Sequence, residues 1–205
     1  MKRSTLILLK TLTWLACLYP LGWLAWGAVT NNLGADQTHT ITFATGLATL
    51  RLLVITLAIT PLRRLWPRLS WLIKFRRLLG LFAFFYGTLH LLTYVALYSG
   101  FNVEAMAGDI AKRRFITAGV AAWLSMLPLA ATSTNWAIRK MGGKNWNRLH
   151  MLVYAAAVCA IAHYWWQVKP GVLTPTAMTV IVAVLFIARP VLAWRQRRKA
   201  QAVAA

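Results

Sequence analysis

Six runs of about 20 mostly apolar residues divide the chain, roughly 8–28, 41–60, 77–99, 115–134, 148–166 and 173–193. Each is long enough to carry a helix across the hydrocarbon core of a bilayer. Lipid offers no partner to a backbone N–H or C=O, so runs of this length are committed to helices that pair those groups internally. Of 205 residues, 60% are hydrophobic and 13% charged, which leaves too little polar surface to cover a soluble globule. The expected fold is all-α: a polytopic six-helix membrane bundle forming one domain over 1–205. Asn31-Asn32-Leu33-Gly34, Pro61, Gly100, Gly142-Gly143, Lys169-Pro170-Gly171 and Pro190 punctuate the runs as residues that stop or bend helices. No fixed-period repeat is evident. The first run follows basic residues as a signal peptide does, but it has no small-residue cleavage site and is expected to be retained.

The formal net charge of +20 would suit a nucleic-acid partner if it lay on one accessible face. Here the basic residues stand in short clusters between apolar runs, so nucleic acid is not an expected partner and the charge is a topology signal. One side receives Lys2, Arg3 and Lys10, then Arg63, Arg64, Arg68, Lys74, Arg76 and Arg77, then Arg139, Lys140, Lys144 and Arg148, and finally the tail from Arg195. That side is expected to be cytoplasmic, with both termini on it and anionic lipid headgroups against it. The opposite loops hold all three acids, Asp36, Glu104 and Asp109, together with Lys169 and one contrary basic cluster, Lys112-Arg113-Arg114. Cys17 and Cys159 lie within apolar runs and form no CxxC or CxxCH motif, so neither zinc, a disulfide framework nor covalent haem attachment is expected.

Chemistry rests on the histidines. His90 stands about 13 residues along the third run and His163 about as far along the fifth, roughly 20 Å of helical rise in each case. Both runs cross in the same direction, so the two imidazoles share a level on different helices, as two axial ligands of one haem iron must. The alternative is two histidines bonded to backbone or hydroxyl partners inside the bundle. His150, near the start of the fifth run, has Arg77 as its level partner on the third. It lies about 220° around a straight helix from His163, so the two share a face only if the helix bends. Ligation of a haem from one side, contact with a flavin or a propionate, and a merely interfacial position all remain open for His150. Arg51, in the middle of the second run near the level of His90, needs an anion such as a haem propionate unless it snorkels or binds carbonyls. His39 falls in a loop and is expected to be exposed. No glycine-rich dinucleotide fingerprint is present, so electrons would be supplied from elsewhere.

A lone histidine in FFYGTLHLLTY and the pair in NWNRLHMLVYAAAVCAIAHYWW, on six spans, resemble the MsrQ family, formerly YedZ, within the ferric-reductase-like transmembrane group. The resemblance covers essentially the whole chain. It implies an electron-transfer subunit, rather than a catalyst on its own, in a bacterial inner membrane. Such a subunit carries haem b and passes electrons from the quinone pool or a cytosolic flavin reductase to its heterodimer partner, the periplasmic molybdopterin reductase MsrP. MsrP repairs methionine sulfoxide in periplasmic proteins. The resemblance assigns His90 and His163 to an outer haem. Larger relatives hold a second, inner haem with two more histidines, and this chain has only His150 of that pair. FMN is associated with the family, with no residue here to place it. Two readings from other classes compete: a small transporter or proton path without haem, and a structural anchor for a partner.

Overall fold

The computed structural model of the chain describes residues 3–168 and 173–204, which form helices and turns with no strand among them. Lys2 and the expected turn at Lys169-Pro170-Gly171 lie outside the described residues. Six helical segments are long and apolar enough to cross a membrane. The first is α1 (Arg3–Val29) and the second α2 (Gln37–Leu65). A 3-10 segment over Pro67–Phe75 then leads into α3 (Arg76–Thr93), which ends in a π turn at Tyr94–Tyr98. A short helix, α4 (Val103–Lys112), precedes α5 (Arg114–Ala131). Two further short helices, α6 (Asn135–Met141) and α7 (Gly143–Leu149), lead into α8 (Leu152–Gln167), and α9 (Leu173–Ala204) closes the bundle. α1 and α2 run a few residues past their apolar runs, α5 stops at Ala131 short of its run, and α9 continues through the basic tail instead of stopping near residue 193. Pro61 and Pro190 lie inside α2 and α9, because proline's fixed φ is helical and its cost is chiefly the carbonyl it leaves unpaired.

The fifth run is the one that is broken. His150 and Met151 form a turn between α7 and α8, with His150 N–H still donating to the Trp146 carbonyl at 2.9 Å. This is the bend that a shared face for His150 and His163 would require, although the two side chains end in different surroundings.

Packing is tightest between α2 and α3 and between α5 and α8. Ala83, Ala156 and Ala157 are fully buried at these seams, where small side chains let helix backbones approach. The central core joins Leu53 and Leu57 of α2, Ala83 of α3, Met126 of α5, Val153 of α8 and Val182 of α9. A second cluster seats α1 against α2 and α3 through Cys17, Ile59, Phe82 and Tyr86.

Two polar clasps hold the outer helices, each beside a proline. Pro20 disturbs α1, and the buried Tyr86 hydroxyl of α3 accepts from Leu21 N–H at 3.2 Å while donating to the Cys17 carbonyl at 2.6 Å. It thus bridges two groups that ordinarily pair with each other. In α2, Pro61 has no N–H to offer the Leu57 carbonyl, and Arg189 of α9 fills the place, its Nη2 donating at 2.6 Å. Arg64 returns the contact, donating from Nη1 to the Arg189 carbonyl at 2.8 Å. Arg189 also donates to the Tyr154 hydroxyl at 2.7 Å and lies over that ring. Arg51 is therefore not the only basic residue within a span: Arg189 is another, and it is the buried one.

Candidate functional site

His90 projects from the last turn of α3 and His163 from α8, and the structure brings their rings together with centroids 5.8 Å apart and planes at 83°. Each ring is fixed by a neighbouring helix. His90 Nδ1 lies 2.9 Å from the Thr42 carbonyl on α2, and His163 Nδ1 lies 2.6 Å from the Phe115 carbonyl on α5. A carbonyl can only accept, so Nδ1 carries the proton in both rings and Nε2 keeps its lone pair. That is the tautomer of a metal-binding imidazole oriented by a hydrogen bond from its other nitrogen.

Glycine makes room on both sides. A Cβ on Gly46 would stand 3.0 Å from His90 Cε1, and one on Gly119 would stand 2.8 Å from His163 Nδ1. The arrangement is a repeat: one offset along the sequence carries Thr42 to Phe115, Gly46 to Gly119 and His90 to His163. Two hairpins, α2 with α3 and α5 with α8, present equivalent histidines to a common space. The repetition escapes a search for sequence periodicity because a carbonyl is the same whether Thr42 or Phe115 bears it. The signal was the equal interval from each glycine to its histidine.

The common space is a cavity of about 400 Å³, within the range of cofactor sites. Its lining is mainly apolar, with Leu50, Val120, Met126 and Trp123 beside both histidines. Trp123 is held by stacking on Phe84 and by donating Nε1–H to Thr88 at 3.0 Å. Polar groups gather toward the end where α4 lies, where His39, Tyr94, Asp109, Arg113 and Gln167 contribute. No group of three or more His, Cys, Asp or Glu suited to a metal ion occurs among the described residues. A metal that arrives within a macrocycle needs only two protein ligands, and the donor set fits one.

The structure does not bring the remaining candidates to this cavity. Arg51 is exposed on the outside of α2 and is not part of the lining. Five residues separate it from Gly46, roughly 140° around the helix, so the face that meets His90 turns Arg51 away. A propionate role for it has no support in the geometry. His150 stacks on Trp146 with centroids 3.7 Å apart, and its Nε2 lies 3.2 Å from Thr132 Oγ1. Thr132 spends its own proton on the Pro128 carbonyl at 2.7 Å, so it accepts from His150, whose Nε2 is then protonated, the opposite tautomer to the cavity pair. His39 is exposed, as expected, but it lies in the first turn of α2 rather than in a loop, and it contributes to the cavity lining.

Residues 45–161 match the family model described as "Ferric reductase like transmembrane component". A curated relative from Herminiimonas arsenicoxydans, "Protein-methionine-sulfoxide reductase heme-binding subunit MsrQ", is 46% identical over 97% of this chain and 92% of its own length. Proteins of the same name from Ralstonia nicotianae, 45% identical over 91% of this chain and 86% of theirs, and Xanthomonas axonopodis, 44% identical over 97% and 90%, are similar to it as well. No solved structure matches the chain significantly. The matched residues hold His90 and most of both hairpins, with His163 two residues beyond them, and the full-length relatives cover both histidines; the chain belongs to the ferric-reductase-like transmembrane family and, within it, to the MsrQ family.

Proposed function

We propose that this multi-pass membrane protein is the haem-binding subunit of a methionine sulfoxide reductase, carrying electrons across a bacterial inner membrane to the periplasmic catalytic subunit MsrP. The observation that carries the reading is the facing pair His90 and His163, each with Nδ1 committed to a backbone carbonyl and Nε2 left to a ligand. Haem b, when bound there, supplies a one-electron iron couple. The chain's own residues do the rest. The Thr42 and Phe115 carbonyls hold both imidazoles in the ligating tautomer, and Gly46 and Gly119 keep space for the rings. With both histidines given to a haem, the protein would leave no position for a substrate, which suits electron transfer rather than chemistry on a substrate.

The end of the bundle holding Asp36, Glu104 and Asp109 faces the periplasm in this reading, and the basic end faces the cytoplasm, following the bias of basic residues. A quinol or a cytosolic flavin reductase delivers electrons at the basic end, and His150 with Trp146 lies toward that end. A single haem accounts for the paired ligands, and FMN is given no place. The test is functional: membrane vesicles containing the protein and MsrP should reduce methionine sulfoxide at the expense of quinol or reduced flavin. The rate should disappear when either His90 or His163 is replaced. Sulfoxide reduction that persists without both histidines would contradict the proposal.

A further inference from the structure

One observation stands outside this account: Lys112-Arg113-Arg114, a basic cluster at the acidic end, against the charge bias of the rest of the chain. The structure supplies a local reason for one of the three. Arg113 occupies the joint between α4 and α5 and is the one Lys or Arg lining the cavity among the described residues. Its Nε donates to Asp109 Oδ1 at 2.9 Å, and Tyr94 donates its hydroxyl to Asp109 Oδ2 at 2.9 Å. Asp109 is thereby tied to α3 on one side and to Arg113 on the other, which fixes the guanidinium at the cavity mouth. Neither terminal amino group of Arg113 has a hydrogen-bond partner among the described residues. What Asp109 leaves over is the outer fork of the guanidinium, the part whose geometry matches a carboxylate with two parallel N–H···O bonds.

We infer that Arg113, aimed by Asp109 and Tyr94, is the anchor for a carboxylate of the cavity's occupant. The inference rests on the haem reading above, in which that carboxylate is a propionate. Haem b brings two carboxylates to a cavity that is otherwise apolar around its histidines, and an ionised carboxylate left unpaired there is costly. Arg113 meets that need at the wet end of the site. It takes the role the sequence suggested for Arg51, which the fold turns away from the cavity. All three side chains of the cluster are exposed, Arg113 58% accessible, but only Arg113 belongs to the lining.

The test uses the full-length protein, purified with its haem in detergent, and three variants: Arg113→Gln, Arg113→Lys and Arg51→Gln. Haem loss is timed by transfer to excess apomyoglobin, and midpoint potentials are read by spectroelectrochemistry. Removing one charge-assisted contact should speed haem loss from Arg113→Gln by about tenfold. Its midpoint should fall, because a nearby positive charge favours the reduced iron. Arg113→Lys keeps the charge without the fork, so it should lose haem a few times faster than the parent with a nearly unchanged midpoint. Should Arg113→Gln fail to accumulate, Arg113→Lys alone decides. Arg51→Gln should match the parent in both measurements. Parental haem loss and potential in both Arg113 variants would overturn the assignment while leaving the histidine ligation intact. A parent protein without any low-spin haem spectrum would overturn both.

Discussion

At the residue scale, the site depends on atoms that are missing as much as on those present. Gly119 leaves the space that His163 occupies, and a Cβ there would stand 2.8 Å from Nδ1, closer than packed atoms tolerate. Gly119→Ala must therefore displace either the ring or α5, an overpacking cost of about 1–3 kcal/mol. We expect this variant to insert normally but to lose haem at least about tenfold faster than the parent, measured by transfer to apomyoglobin. Parental retention would mean that the imidazole is not confined as described. His150 makes the opposite case. Its ring is stacked on Trp146 and bonded to Thr132, outside the cavity. His150→Ala should leave the haem content and its optical spectrum unchanged. Stopped-flow reduction by quinol or reduced flavin then reports whether the ring takes part in electron delivery: a slower rate with an intact spectrum is the expected result, and loss of haem from this variant would refute its separation from the site.

At the scale of helices, prolines and their clasps decide how the bundle closes. Tyr86 is completely buried in the middle of an apolar cluster, yet its hydroxyl has two partners on α1. Tyr86→Phe strands the Cys17 carbonyl and the Leu21 N–H in a setting without water, a cost of about 1–3 kcal/mol. The thermal midpoint in detergent should fall by several degrees with the haem spectrum retained, since the hydroxyl lies away from the cavity. An unchanged midpoint would show that α1 is held by apolar packing alone. The six spans and their order were legible in the sequence because apolar length is a one-dimensional signal. The clasps were not. That Arg189 meets the carbonyl freed by Pro61 depends on which faces of α2 and α9 meet, and hydropathy carries no such information. The same limit explains the site. A common level for His90 and His163 could be counted along the helices, whereas the outward turn of Arg51 and the placement of Arg113 at the cavity rim required knowing how the helices pack. The break at His150 was legible only as a condition, that a shared face would need a bend.

For the whole molecule, two claims remain to be measured: its orientation and its cofactor. The proposed orientation places the 3-10 segment near Ser70 on the cytoplasmic side and the turn before α4 on the periplasmic side. Single cysteines introduced as Ser70→Cys and Asn102→Cys, in a background where Cys17 and Cys159 lie within helices, should react with an impermeant maleimide from opposite faces of the membrane. Labelling of both from one face would refute the arrangement. The central claim is that two hairpins each supply one imidazole to a single haem iron, and the most direct measurement is the reduced-minus-oxidised optical spectrum of the purified protein beside His90→Ala and His163→Ala. Sharp low-spin b-type bands are expected in the parent and the loss of most bound haem, with the protein still inserted, in each variant. A full low-spin spectrum retained in both variants would contradict it.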